Sequence, residues 1–591
     1  MKLYVLAVFS MIISNARFVF GEFKLQILHT NDMHARFEEV DEDTAPCSLR
    51  NAKENKCYGG FARIKMAADQ IKADALKRNI SSIFLNAGDT FQGTPYYSLY
   101  KWKIAASLIR WLGFDAMCLG NHEFDDGVQN LIQFLQHAKI PTVAANLNRT
   151  SETNLNETLV KDSIVLDIKG HKIGIVGYLT PETMVISGTE NLQIFDEIPY
   201  VRAEAKKLKS QGVNFIIGLG HSGLEKDKEI AKEVEELDLI IGGHSHSLLY
   251  NPKDKPPSKE KAAESYPYWV TQKSGKRVPV VQSFAFTKYL GNMTLTIDDH
   301  YKLIAVEGNS YMLDGSFKKD PVVEKEVNKW TTVLKKQLQT VIGNTRVSLT
   351  KSTFAKNGFE SNLANLITDA FYEQGVLQSK AKNASQWTEF SLSIYQNGGI
   401  RTQFSKERNG GNLTLEDILT ALPFQNVLSQ CRLPGEELRK ALEKSVLDLK
   451  PNNRYRTYFL HFGGMRVVYD LRRAPGKRVT NVKLLCTRCA VPQYEELMTN
   501  ETYLIIMNAF LLNGGDNFNV FKTSCSDVKK FDIIESEAVI NYIRRRKVIY
   551  PILDGRLTTI EEDGEPSKAI RHDRWLYNLL LIIAICIKSA F

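Results

Sequence analysis

No apolar stretch in this 591-residue chain approaches the ~20 residues that a bilayer-spanning helix needs. Internal repeats and low-complexity tracts are also missing, which removes solenoid and fibrous classes. No basic stripe is interleaved with aromatics. The densest cationic run, Arg544-Arg545-Arg546-Lys547, sits between Tyr542 and the apolar Val548-Ile549-Tyr550 and reads as a solvated helix end. With a net charge of only +9, nucleic acid is not an expected partner. Cysteine is sparse, with 8 residues at uneven spacing, so a disulfide-dense small-domain scaffold is excluded. What remains is ordinary globular composition, 43% hydrophobic and 24% charged, long enough for two or three cores.

Both ends carry targeting features. Lys2 precedes an apolar run from Leu3 to Ile13, and Val19-Phe20-Gly21 offers a cleavage site, so residues 1–21 read as a secretory signal. Near the C-terminus, small residues around Asp563, Gly564 and Ser567 precede a polar stretch, Ser567 to Arg574. The apolar run Leu576 to Ile587 follows. This is the layout of a glycolipid-anchor signal that is cut off; a hydrophobic tail that stays on is the alternative. Seven N-x-S/T sequons, at Asn79, Asn148, Asn156, Asn292, Asn383, Asn412 and Asn500, add weak support for export. In that compartment Cys47/Cys57 and Cys486/Cys489 are close enough to pair. Cys431 and Cys525 could pair by elimination, and Cys118 reads as a buried thiol. A metal site at Cys486-x-x-Cys489 is disfavoured, because no second cysteine or histidine pair accompanies it.

Strands and helices alternate through the first half. Strand patterns cover Phe23–His29, Ser82–Asn86, Ala116–Leu119, Ile173–Tyr178, Val213–Leu219 and Leu237–Ile241. Helical patterns cover Phe61–Leu76, Ile104–Trp111 and Val128–His137. The alternation predicts a layered α/β domain over residues 22–312. From Pro321 to Ile342 apolar residues recur at helical spacing (Val323, Val327, Trp330, Val333, Leu334, Val341), giving one long helix, either core or a bridge, within a 313–342 linker. A second set of strands and helices fills 343–553, and 554–591 is tail.

Ligand-type side chains recur just after apolar strands: Asp32-Met33-His34, Gly88-Asp89, Gly120-Asn121-His122-Glu123, Gly220-His221 and Gly242-Gly243-His244-Ser245-His246. Strand C-ends of a layered α/β sheet gather on one edge, so five such clusters can surround a metal pair. Carboxylate, imidazole and amide oxygen together suit zinc, manganese or iron. Asp89, alone on its loop, is the expected bridge between two ions. Asp32, His34 and His246 would complete one ion, and Asn121, His221 and His244 the other. His122 points elsewhere and can act as an acid or electrostatic stabiliser, with Asp125 holding its other ring nitrogen. Glu123 has no role beyond capping its loop. Each cluster alone is weak; together, in this order, they predict a two-metal hydrolase. Gly218-Leu219-Gly220-His221-Ser222-Gly223 also fits a dinucleotide fingerprint, but it is not on the first βα unit and a histidine occupies its centre.

In this order the clusters resemble the calcineurin-like metallophosphoesterases. Further stretches narrow the likeness to the ecto-5'-nucleotidase and apyrase family, over about residues 24–555. They are Ile27-Leu28-His29-Thr30-Asn31-Asp32, Asn86 to Thr94, Gly120 to Asp125, Val278 to Gln282, Ala421-Leu422-Pro423-Phe424 and Asn513-Gly514-Gly515-Asp516. The resemblance implies an N-terminal four-layer α/β/β/α metallophosphoesterase domain and a C-terminal α/β nucleotide-binding domain joined by the long helix. It implies two divalent ions, zinc first, with manganese, cobalt, calcium or magnesium as alternatives. It also implies substrate roles: Phe424 and Phe510 sandwich the adenine, Asp516 accepts from the ribose hydroxyls, and Arg401 grips phosphate oxygens, with Gln396 and Asn397 beside it. From the residues alone Phe424 and Phe510 read as core.

The chain departs from the family in places. Vertebrate members carry an arginine between two cysteines where this chain reads Ala355-Lys356-Asn357-Gly358-Phe359-Glu360-Ser361, and Lys356 offers at most a point charge there. His246 replaces an asparagine. The family's Asn-Gly-Gly-Gly-Ile-Arg reads Gln396-Asn397-Gly398-Gly399-Ile400-Arg401. The expected activity is hydrolysis of extracellular AMP to adenosine. Hydrolysis of ATP and ADP, as by an apyrase, is the alternative, and a binding protein with impaired turnover is a third. The expected partners are AMP, ADP and ATP, a membrane only through a glycolipid anchor, and, left open, a second copy in a homodimer.

Overall fold

The computed structural model describes residues 22–254, 256–351, 359–379, 386–449 and 456–560. The expected secretory signal (residues 1–21), the expected C-terminal anchor signal, Lys356 and the Asn383 sequon lie outside the described residues. Two sheets dominate the N-terminal half. The first has seven strands in the order Leu303–Met312, Tyr289–Ile297, Phe23–Thr30, Ser81–Asn86, Ala116–Cys118, Thr142–Val143, Val160–Lys161. The second has six, in the order Tyr268–Thr271, Arg277–Val281, Leu239–Ile241, Phe215–His221, His171–Leu179, Ser163–Ile168.

Side-chain alternation along these strands explains the layering. Leu25, Ile27, Ile83 and Leu85 point to one face and pack with Ile173, Ile175, Ile217, Ile240 and Val280 of the second sheet. Leu28, Phe84 and Met117 point to the other face, against the helices Phe61–Lys77, Trp102–Ile109 and Val128–Ala138. The second sheet is covered in turn by Glu197–Ser210 and Leu224–Glu233, through Val201, Ala205, Leu208 and Ile230. The order is helix, sheet, sheet, helix. The neighbours Phe23–Thr30, Ser81–Asn86 and Ala116–Cys118 run parallel, as do His171–Leu179, Phe215–His221 and Leu239–Ile241. Their C-terminal ends therefore share one edge of the double sheet.

The long helix spans Pro321–Leu338. Asp320 caps it, accepting from Val322 N and Val323 N, with Pro321 in its first turn. It packs on Phe61–Lys77 through Val323 and Val327 and sets Trp330 edge-on to Tyr100, with ring centroids 5.1 Å apart. It stops short of the expected Ile342. Val341 belongs to a strand, Val341–Thr345, and Val333 is 74% exposed, because the apolar spacing slips off the buried stripe after Trp330. In the C-terminal half a five-stranded sheet, with Leu392–Gln396 and Thr502–Asn508 at its centre, is flanked by Asn362–Gln378 and Glu535–Arg546. The Arg544–Arg546 run is the exposed last turn of the latter helix. Cys47–Cys57, Cys431–Cys525 and Cys486–Cys489 are disulfides, and Cys118 is a buried free thiol.

The two halves are pinned together by Arg408. Its guanidinium is buried between Asp41 (2.9 Å) and Asp417 (2.6 Å) and donates to Pro46 O. Ala45 of the same N-terminal loop packs into the C-terminal core.

Candidate active site

Five loops leave the shared sheet edge and converge. His244 N donates to both Asp32 oxygens (3.1 and 3.0 Å), and His246 Nε2 is 3.2 Å from Asp32 Oδ1. His34 Nε2 lies 2.9 Å from His246 Nε2, and His221 Nε2 lies 3.0 Å from Asp89 Oδ2. His244 Nδ1 is 2.9 Å from Asn121 Oδ1. Three groups have ligand atoms all within 4.8 Å of one another: Asp32 with His34 and His246, His34 with Asp89 and His122, and Asp89 with His221 and His244. Asp89 thus belongs to two of them.

Holding so many polar side chains at one point strains the backbone. Asp32 (φ 49°), His34 (48°), Asp89 (56°), His244 (77°) and His246 (51°) all lie in the left-handed region. Non-glycine residues persist there only where surrounding contacts over-determine them. Glu123 supplies many of those contacts. Fully buried, it accepts from the backbone N–H groups of Asp89 (2.9 Å), Thr90 (2.6 Å), Phe91 (3.2 Å) and Gly120 (2.7 Å), clamping two ligand loops together. Gln282 does similar work for the third, donating to Gly243 O (2.8 Å) and accepting from Ser245 Oγ (3.0 Å).

The donor set fits a metal pair. His221 Nδ1 donates to Ala87 O (2.6 Å), which leaves Nε2 as the lone-pair nitrogen. That buried atom has no hydrogen-bond partner, although Asp89 and Asp32 flank it. His34 is fixed the same way, with Nδ1 on Phe91 O (3.3 Å) and Nε2 facing the carboxylates. Lone pairs set against carboxylates repel unless a cation lies between them. With no cation in the cluster, burial would lower His221, but Asp89 and Asp32 outweigh it and push it up to about 10, so a metal bound there would displace a proton from Nε2; burial, aided by His221, takes His244 down to about 4.

Beside this cluster His122 Nδ1 donates to Asp125 Oδ2 (2.6 Å), leaving Nε2 as its other ring nitrogen. Burial opposes protonation of His122, but Asp125 and Asp89 raise its pKa overall. The pair opens onto a cavity of about 800 Å³, the size of a small-molecule site, lined from both halves of the chain. Phe424, Phe510, Asp516, Arg401 and Gln396 line it. The two phenyl rings are half-buried rather than core; Phe424 stacks on His122 (5.7 Å) and carries Arg401 at 5.8 Å. Gly515 lies against the Phe510 ring, where a Cβ would come within 2.5 Å. Asn397 differs. It is 1% exposed, stands outside the cavity wall and donates to Arg456 O (3.1 Å). Gln92, in the Asn86 to Thr94 stretch but with no role expected of it, and Ser187, which has no sequence signal, both donate to Asp125 (3.3 and 3.0 Å).

A double sheet with acid–imidazole clusters at its shared edge defines a metallophosphoesterase, a class of metal-dependent hydrolase. Residues 25–248 match the family model of calcineurin-like phosphoesterases, and residues 341–523 match that of the 5'-nucleotidase C-terminal domain. The chain is 39% identical to the 5'-nucleotidase of Homo sapiens, over 91% of each chain. It is 37% identical to a snake venom 5'-nucleotidase of Naja atra, over 91% of this chain and 99% of that one. Its fold matches the crystal structure of a 5'-nucleotidase precursor from Thermus thermophilus with a TM-score of 0.80 at 30% identity, covering 91% of this chain and all of that one. The chain belongs to the 5'-nucleotidase family.

Proposed function

We propose that the protein hydrolyses AMP to adenosine and phosphate outside the cell, with residues 22–312 carrying the metal chemistry and 343–553 the nucleoside site. The observation that supports this most is the single cavity. It joins the acid–imidazole cluster and His122 to two half-exposed phenyl rings and a carboxylate from the other half of the chain. Asp32, His34 and His246 would hold one divalent ion, Asn121, His221 and His244 the other, with Asp89 shared; zinc suits this set best. Two such ions, when bound, supply a hydroxide near neutral pH and neutralise phosphoryl oxygens.

The chain's own groups do the rest. His122, oriented by Asp125, holds a proton at Nε2 for the phosphoryl oxygens or the leaving ribose oxygen. Arg401 offers a planar fork to the phosphate. Phe424 and Phe510 hold the base by stacking, and Asp516 accepts from the ribose hydroxyls. The snake venom relative supports an extracellular setting. Among the described residues no helix is long and apolar enough to cross a membrane, so surface attachment would rest on the C-terminal anchor signal. The homodimer also remains part of this proposal.

Phosphate release from AMP, ADP and ATP side by side, with and without chelator, tests the reading. Turnover of AMP that chelator abolishes is expected. Preference for ADP and ATP would make the protein an apyrase, and binding without turnover would make it a nucleotide carrier.

A further inference from the structure

Asp125 has two carboxylate oxygens, and the His122 ring takes only one. The other, Oδ1, accepts from Ser187 Oγ at 3.0 Å. Ser187 lies on the loop that follows the strand His171–Leu179, on the second sheet rather than the first. That loop is bolted to the His122 segment at two further points. Gly188 N donates to Phe124 O (3.2 Å), and Glu190 Oε1 accepts from Val128 N (3.1 Å). The fit at Gly188 is close, since a Cβ there would stand 2.9 Å from Phe124 O.

The other side of the same loop faces the C-terminal half. The short helix Thr183–Ile186 packs on the turn Gly515–Asn517, which carries Asp516. Glu182, Asp516 and Lys444 are electrostatic neighbours across that contact. Glu182, Ile186, Ser187 and Asp516 all line the cavity. The one segment 182–190 thus touches the His122–Asp125 pair on one side and the nucleoside turn on the other.

We infer that Ser187 is a positioning residue for the His122–Asp125 pair, and that nucleoside seated on the Gly515–Asn517 turn holds it in place. This rests on the nucleotidase reading above. Ser187 fixes the carboxylate that fixes the imidazole. Closure of the C-terminal turn on Thr183–Ile186 keeps the serine in register, so binding energy from the base and ribose is used at the phosphoryl group.

The test uses the metal-loaded protein and two substrates, AMP and p-nitrophenyl phosphate, which has no nucleoside. Ser187→Ala is expected to lower kcat on AMP by about 10- to 100-fold, with KM within about twofold and a markedly smaller loss on p-nitrophenyl phosphate. Ser187→Thr, which keeps the hydroxyl, should recover most of the AMP rate. In an Asp125→Asn background Ser187→Ala should cost little more, because the carboxylate it orients is gone. That cycle still reports if Ser187→Ala also lowers the melting temperature. An unchanged kcat on AMP, an effect confined to KM, equal losses on both substrates, or full additivity with Asp125→Asn would each overturn the inference. Wild-type protein that fails to release phosphate from AMP would instead overturn the nucleotidase reading.

Discussion

Arg401 Nη2 lies 3.0 Å from His34 Nε2, across 367 residues of sequence. The first belongs to the C-terminal half and the second to the acid–imidazole cluster. Burial and the guanidinium together hold His34 well below its ordinary pKa, so its Nε2 keeps its lone pair. A guanidinium at the lip of a metal-type cluster is placed to grip an oxyanion seated there. Arg401→Ala is therefore expected to raise KM for AMP by about 10²-fold, the scale of a lost bidentate charge-assisted contact. Arg401→Lys should recover only part of it, since an ammonium cannot form the fork. Steady-state kinetics on both variants checks this; KM unchanged in Arg401→Ala would remove the arginine from the phosphate site.

Phe510 is set by a cap. Asn508 Oδ1 accepts from Leu511 N (3.1 Å) and begins the short helix Ala509–Leu512, which turns the ring into the cavity. Phe510→Ala is expected to weaken AMP binding by about 1–3 kcal/mol, the worth of one base–aromatic stack. Turnover of p-nitrophenyl phosphate should change little. Comparing KM for the two substrates decides it, and equal losses on both would mean the substitution disturbs the fold instead.

Asp89 and Glu123 make a contrasting pair. Asp89 belongs to two of the three ligand groups, so Asp89→Ala should strip metal and abolish turnover together. Elemental analysis of the purified variant checks this, and full metal occupancy with normal turnover would refute the bridging role. Glu123 does not line the cavity but holds four backbone N–H groups of two ligand loops. Glu123→Ala is expected to destabilise the fold by about 3 kcal/mol or more, since it orphans buried donors. Thermal melting of the metal-loaded protein measures that loss, and an unchanged melting curve would show that the loops do not depend on the clamp.

Much of this site was legible because strand ends mark where a side chain can reach the sheet edge. Asp32, Asp89, Asn121, His221 and His244 each come at or just after the end of an apolar strand, and for all but Asp32 a preceding glycine signals the turn. Contacts between distant loops were not legible. Glu123 reads as a loop cap because its partners on the Asp89 loop lie more than 30 residues upstream. Ser187 has no local pattern at all. Gln396 and Asn397 look equivalent in sequence, yet one faces the cavity and the other turns inward, as successive side chains at the end of a strand do. The long helix ends before its sequence pattern does for the reverse reason: Val333 and Val341 keep the spacing of a buried stripe that the packing no longer uses.

Glu535 carries a pH dependence away from the metal cluster. Its carboxylate is fully buried, accepts from Asn508 Nδ2 (3.1 Å), and so stands behind the cap that sets Phe510. Burial pushes its pKa up to about 7, against the resistance of its amide partners. An unfolded glutamate titrates near ~4.3. Below that value both states are protonated and the group is neutral toward stability. As pH rises toward 7 the unfolded chain releases this proton while the folded chain keeps it, so stability falls through that window and levels off above it. Glu535→Gln cannot titrate. The gap in stability between the variant and the native protein should therefore shift in the variant's favour from pH 5 to pH 7.5. Denaturant unfolding at both pH values measures it, and a gap that stays constant would show that Glu535 is ionised in the fold throughout.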